Sequence, residues 1–487
     1  MSEIKRVALK SLGCKTNGYE TEAMTELLEK AGYEIVPFDE KADVYIVNTC
    51  TVTNMADRKS RQVLHKAKKL NPEATVVAAG CYVQAAAEDI KKDSAIDIIV
   101  GNDMKSHIVE IIESDGSTEA IIDINNNKIK RQYEELNVDK SMEERARAYI
   151  KIQDGCNMFC SYCIIPFARG RVRCREPESI IREVKRLGDK GYREVVLTGI
   201  HISSYKWDVN ESAEISEMPE ESDKKKISLN VSSKDFTSLN LGDVVSLIGE
   251  NNDIKRIRLG SLEPRIVTRE FMDKISSVEA FCPQFHLSLQ SGCDATLKRM
   301  NRRYNTEEFL DCCKLIREYY PDAALTTDII VGFPGETEEE FEETYKYLEG
   351  IGFYQMHVFK YSVRRGTRAA LMDNQIPENI KAERSERLIE LSKKMQGEYM
   401  DGLIDKEVEI LTEEETEIDG DKYIVGHTKE YVKVAVPVED FESECSETEK
   451  IKLKCGETVG SAASHGELIN VLIKGILKDG VVLGDSV

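Results

Sequence analysis

The sequence predicts an α/β protein in three parts: a doubly wound parallel-sheet domain, a partial (β/α)6 barrel and a small C-terminal antiparallel β-barrel. Three observations lead there. Over residues 1 to 140 short apolar runs alternate with helical patterns, and strands separated by helices are the mark of parallel βαβ units. A second alternation starts at Ala148 and carries six strands. From Leu403 on, the helical period stops and short alternating stretches follow. A chain of 487 residues also has room for roughly three domains.

Taken in order, 6–10 reads as a strand, 21–30 as a helix, 44–47 as a strand, and 54–70 as a long basic helix stopped by Asn71 and Pro72. Strands at 75–79 and 96–100 complete the first sheet. The second part has strands at 148–152, 194–197, 254–259, 284–289, 324–331 and 354–359, with helices between them. Within it, 207–238 is polar, holds a lysine run at 224–226 and shows no hydrophobic period. It reads as a surface insertion, with an ordered small subdomain as the alternative. A charged amphipathic helix at 380–398 links to strands at 408–411, 423–426, 431–436, 467–477 and 481–483. The implied domains are 1–140, 145–375, a linker at 376–400, and 401–487.

The charge is −21, which taken alone disfavours a nucleic-acid partner. It is unevenly spread: from Asp401 onward there are 21 acidic and nine basic residues, a net of −12. The N-terminal residues lack a secretory pattern, and no uncharged apolar run is long enough for a bilayer span. A cytoplasmic, reducing setting is therefore expected. There the 13 cysteines are better suited to metal or catalytic work than to a disulfide framework.

Two cysteine groups stand out. Cys156, Cys160 and Cys163 form Cys-x3-Cys-x2-Cys in the loop after the first strand of the second part, where barrel enzymes place their chemistry. Three thiolates on one tight loop suit three irons of a [4Fe–4S] cube and leave the fourth iron open to a substrate. A zinc knuckle completed by Cys174 is the alternative. Cys14, Cys50 and Cys81 each follow a predicted strand of the first part. In a parallel sheet they would emerge at one carboxyl edge, where such sheets bind ligands. A second cluster with an open iron follows, against the alternative of ordinary buried thiols. Asn48 and Asn17, the latter a candidate helix N-cap, fit a functional edge.

The spacing of Cys156, Cys160 and Cys163, with Tyr162 before the last cysteine, resembles the radical S-adenosylmethionine (SAM) superfamily. That resemblance implies SAM bound on the open iron and cleaved to a 5′-deoxyadenosyl radical. It also implies cofactor-binding roles for Tyr162, Thr198, Gly199, Glu263, Gln290 and Asp328. Over nearly its full length the chain further resembles the methylthiotransferases. The matching segments are Leu-Gly-Cys-Lys-Thr-Asn at 12–17, Asn-Thr-Cys-Thr-Val-Thr at 48–53, 79–81, 155–170, 290–303 and 331–337.

That family joins a three-cysteine N-terminal domain, a radical SAM domain and a C-terminal RNA-binding TRAM barrel. Its members methylthiolate a tRNA adenosine beside the anticodon or, in one branch, a ribosomal-protein aspartate. The segments 164–170, 197–201 and 56–61 resemble the branch acting on N6-threonylcarbamoyladenosine. The resemblance therefore implies two [4Fe–4S] clusters, SAM, the tRNA anticodon stem-loop, a reducing electron donor and a sulfur source. For phosphate contacts the candidates are Arg58, Lys59, Arg61, Arg169, Arg171, Arg299 and Arg303, although basic runs on helices are often plain solvated faces. The alternatives are the same chemistry on isopentenyladenosine or on the aspartate, and a non-catalytic iron–sulfur RNA-binding redox factor.

Overall fold

The computed structural model describes residues 5–114, 119–120, 132–138, 146–208, 238–439, 466–478 and 480–487. Strands β1 (Arg6–Ser11), β2 (Glu34–Ile35), β3 (Val44–Thr49), β4 (Thr75–Gly80), β5 (Ile98–Val100) and β6 (Glu119–Ala120) form one sheet in the order β2-β1-β3-β4-β5-β6. Every neighbouring pair is parallel. Strand β3 is buried along its whole length, as a strand covered on both faces must be. Ala8, Tyr45, Val47 and Val76 pack with Leu64 and Ala67 of helix α2 (Asn54–Leu70) on one face. Val7, Ile46 and Val77 pack with Met24 and Leu28 of helix α1 (Lys15–Lys30) on the other.

Helix α1 begins well before the position its apolar pattern suggests. Cys14 takes the N-cap place, so Asn17 lies inside the first turn. Its amide donates to the Leu12 carbonyl (2.8 Å) and the Thr49 carbonyl (3.0 Å) and ties β1 to β3, which replaces the expected capping role.

The second part is a curled half-barrel. Its strands are β7 (Arg147–Asp154), β8 (Arg173–Cys174), β9 (Glu194–Gly199), β12 (Arg256–Leu259), β13 (Gln284–Gln290), β14 (Ala324–Val331) and β15 (Gln355–Lys360). The orders β12-β9-β7-β8 and β13-β14-β15 are joined by the parallel bridges Ile257 to Phe281 and Leu262 to Leu287. Six strands run parallel as predicted, and β8 adds an unpredicted antiparallel edge. Between β9 and β12, β10 (Lys206–Asp208) and β11 (Ser238–Asn240) pair as a short antiparallel ribbon at the two ends of the polar insertion. The insertion itself, 209–237, lies outside the described residues.

A long helix (Glu378–Asp401) packs along β15 and leads to β16 (Glu407–Ile418), β17 (Asp421–Thr428), β18 (Lys433–Pro437), β19 (Leu468–Lys478) and β20 (Val481–Ser486). These close a barrel in the order β16-β17-β18-β20-β19, antiparallel except between β18 and β20.

This barrel docks at the strand starts of the half-barrel through charge. Arg147, Arg256 and Arg258 are all buried around Glu194. Burial alone would raise the Glu194 pKa, but Arg258 and Arg147 outweigh it and bring it down to about 2. The remaining guanidinium nitrogens reach across the interface. Arg147 pairs with Glu413, and Arg256 bonds Glu409 Oε1 (3.0 Å) and the His427 carbonyl (2.7 Å). Arg258 bonds the Lys429 carbonyl (2.9 Å). Tyr431, at φ +70°, inserts its ring between the Arg147 and Arg258 guanidinium groups, 4.8 and 4.7 Å from its centroid. Part of the acidity of the terminal segment is therefore spent inside the molecule.

Candidate active site

Cys14, Cys50 and Cys81 follow β1, β3 and β4, three neighbours of one parallel sheet, and so emerge along one edge. Gly13, at φ +99°, lets the β1 loop close over Cys50: a Cβ there would sit 2.7 Å from the Cys50 sulfur. Burial, together with the nearby Cys81 and Cys14 thiols, pushes Cys50 up to about 11. Cys81 receives Arg169 Nε at 3.1 Å and Asn102 Nδ2 at 3.6 Å, N–H donors of the kind that tune cluster sulfurs. The residues thus fit an iron–sulfur cluster held by three thiolates.

The second group lies on the loop after β7. The loop is forced by Gly155, whose φ is +71° and whose absent Cβ would lie 1.9 Å from the Arg171 carbonyl oxygen. Phe159 also has positive φ and is held by Asn301 Nδ2 donating to its carbonyl (2.9 Å). Met158 N donates to Cys156 Sγ (3.4 Å), and Arg302 Nη1 donates to Cys160 Sγ (3.1 Å). Burial, then Cys160, pushes Cys163 up to about 12. Cys174, the alternative zinc ligand, is engaged elsewhere: the Lys206 amide donates to it at 3.3 Å and it faces the Ser204 carbonyl at 3.8 Å. Among the described residues no three His, Cys, Asp or Glu side chains close around a single-ion position.

Gly155→Ala should be costly. A left-handed φ alone costs an L residue about 1–2 kcal/mol, and here backbone would also have to move. We expect a lower unfolding temperature and less iron bound after anaerobic reconstitution, read by thermal unfolding and iron assay.

Of the predicted cofactor residues, Thr198, Gly199 and Gln290 sit at strand ends, Tyr162 lies in this loop, Glu263 lies just beyond β12, and Asp328 lies within β14. Tyr162 packs edge-on against Phe333, with ring centroids 6.4 Å apart. Thr198 and Gly199 end β9, and Gly199 has no room for a side chain beside the Gln153 carbonyl (2.8 Å). Gln290 ends β13 at φ +75°. Glu263 keeps a buried carboxylate oxygen without a hydrogen-bond partner, and burial raises its pKa against the pull of Arg302. His201, absent from the predicted set, has an equally orphaned Nε2. Burial, reinforced by Arg302, lowers its pKa to about 4, so its ring is neutral. Such orphaned polar atoms beside the cysteine loop fit a ligand with polar groups. Asp328 instead pairs with His286 (3.3 Å) in the half-barrel lumen.

Arg169 requires a correction. It is fully buried and does not face solvent or RNA. It ends the short helix Ile165–Arg169 that follows the second cysteine group, and it points into the domain interface. There it bonds Glu20 (2.7 Å), Asp154 (3.1 Å), Asn17 (2.6 Å) and Cys81. Burial opposes its charge, but Asp154, Cys81 and Glu20 more than compensate. Glu20 also pairs with Lys105 and with Lys151 (2.7 Å), both fully buried. Arg299 is partly drawn off by Glu340. Arg58, Lys59, Arg61, Arg171 and Arg303 are exposed. Of these, Arg61 also donates to the Tyr82 hydroxyl (2.8 Å), and Arg171 lies 4.5 Å over the Phe159 ring. No helix among the described residues is long and apolar enough to cross a membrane.

Comparison with known proteins gives two family matches and three relatives. Residues 150–348 match the Radical SAM superfamily, and residues 6–101 match the uncharacterized protein family UPF0004. The chain is 40% identical over 431 residues to the threonylcarbamoyladenosine tRNA methylthiotransferase MtaB of Bacillus subtilis, covering 88% of this chain and 89% of the relative. It is 37% identical to the MtaB of Aquifex aeolicus, over 86% and 95% of the two chains. It is also 35% identical to the tRNA-2-methylthio-N(6)-dimethylallyladenosine synthase of Moorella thermoacetica, over 86% and 89%.

Proposed function

The chain belongs to the methylthiotransferase family of radical SAM enzymes, and from that premise we propose that it methylthiolates C2 of N6-threonylcarbamoyladenosine beside the anticodon of tRNA. The observation that carries the reading is Arg169. It follows one cysteine group on a short helix and donates to a sulfur of the other, so the two groups share one interface. Cys156, Cys160 and Cys163 would hold one [4Fe–4S] cluster, and Cys14, Cys50 and Cys81 a second. When bound, the clusters and SAM supply the electron that breaks the sulfonium, the sulfur to be inserted and the methyl group.

This chain's own residues do the positioning. Thr198, Gly199, Glu263 and Gln290 line the strand ends where SAM would sit, with His201 as an added neutral partner. Arg302 holds Cys160, and Arg169 holds Cys81, each by a charged N–H that orients the sulfur. Arg58, Lys59, Arg61, Arg171 and Arg303 offer exposed charge for phosphate, so tRNA binding should weaken with salt. The target base has to leave the anticodon stack to enter the lumen. A soluble cytoplasmic protein served by a reducing electron donor and a sulfur source completes the reading.

Mass spectrometry of tRNA nucleosides from a deletion strain tests the substrate. The 2-methylthio form of threonylcarbamoyladenosine should vanish and return on complementation. Its persistence, with loss of the dimethylallyl counterpart instead, would move the chain to the other tRNA branch.

A further inference from the structure

The lumen of the half-barrel contains an ammonium with no counter-ion among the described residues. Leu287, Ile329 and Met356 turn into the hydrophobic core. By strand alternation, their neighbours His286, Asp328 and His357 line the opposite, inner face. On β7, Ile150 enters the core and Tyr149 faces inward. Into this space the first domain sends Lys15, the residue after Cys14, with its Nζ 5.6 Å from the centre of the Tyr149 ring. Lys15 is exposed by its accessible surface and lies against this inner wall.

The nearby anions are already engaged. Asp328 pairs with His286 (3.3 Å), and Glu194 is held by Arg147 and Arg258. His357 lies beside His286, ring centroids 5.8 Å apart and planes tilted by 32°, and an imidazole supplies no negative charge. Lys15 has no hydrogen bond or ion pair among the described residues. A cation lying against an aromatic wall, with no carboxylate partner among the described residues, is complementary to an anionic group brought by a ligand.

We propose that Lys15 binds the carboxylate of the threonylcarbamoyl group and so selects the substrate base. The inference rests on the substrate reading above and names the contact behind it. It also accounts for position: Lys15 follows a cysteine of the first group and reaches into the lumen of the half-barrel that carries the second, where a base would have to lie to be modified.

The test uses reconstituted holoenzyme and anticodon stem-loop RNA carrying threonylcarbamoyladenosine, either as the free acid or as its methyl ester. The wild type should favour the acid by roughly 10- to 100-fold in stem-loop affinity and in kcat/KM, the range expected for a charged hydrogen bond. Lys15→Gln should remove that preference by weakening the acid alone, and Lys15→Arg should restore much of it. Equal use of acid and ester by the wild type overturns the proposal, and needs no variant to fold. An equal loss on both RNAs in Lys15→Gln, with less bound iron, also overturns it and assigns Lys15 to the neighbouring cluster. Conversion of neither RNA by the wild type would instead defeat the substrate reading itself.

Discussion

Cys160→Ala should abolish reductive cleavage of SAM, whereas Cys50→Ala should spare that cleavage and abolish methylthiolation. Both losses should exceed the roughly 10- to 100-fold expected for a lost hydrogen-bond partner of a ligand, because here the ligand itself is gone. Cys160 carries the Arg302 hydrogen bond, and removing its sulfur also leaves a part-buried guanidinium one acceptor short. Cys50 follows the middle one of the three strands that lead to Cys14, Cys50 and Cys81. Chromatography of 5′-deoxyadenosine reads the first activity, and mass spectrometry of the stem-loop nucleosides reads the second. SAM cleavage that survives Cys160→Ala would refute the assignment of that loop. Methylthiolation retained by Cys50→Ala would remove Cys50 from the second site.

Glu20→Gln should be the most destabilising conservative change in the domain interface, by about 3–5 kcal/mol, the usual cost of breaking a buried ion pair from one side. Glu20 is fully buried, and Lys105, Lys151 and Arg169 all converge on its carboxylate. Burial alone would raise its pKa, but Arg169, Lys105 and Lys151 hold it well below the ordinary carboxylate range. With the folded pKa depressed, its contribution is complete above the unfolded pKa and fades as pH falls through the folded value. Denaturant unfolding at neutral pH measures the loss. Because Arg169 also donates to Cys81, iron retention at the N-terminal cysteines should fall with it. A change below 1 kcal/mol would mean that Gln, with water, satisfies the three cations.

Sequence patterns reach the long strands and the cysteines that follow them because these depend on local rhythm, whereas the short β2, β6, β8, β10 and β11 carry no such rhythm. Cys14, Cys50 and Cys81 each stand just past an apolar run, and parallel pairing does the rest. Asn17 was misread because a cap and a first-turn residue look alike without knowing where the helix starts. Arg169 was out of reach for a different reason: its partner Glu20 lies 149 residues away, and nothing local separates an arginine that will be buried from one that will meet phosphate. His201 sat in view beside Thr198 and Gly199, but its role depends on an unpartnered nitrogen that exists only after folding. Lys15 stands within a cysteine motif, and its approach to the Tyr149 ring of another domain arises only on folding.

The docked terminal barrel has a consequence for its portability. Arg147, Arg256 and Arg258 wait at the foot of the half-barrel for Glu409, Glu413 and a run of carbonyls. A barrel lacking Glu409 and Glu413 would leave Arg147 and Arg256 to share the single carboxylate of Glu194 with Arg258. The negative sign of this segment is thus partly an internal address label, matched to one socket, and it would have to travel with the socket in any chimera.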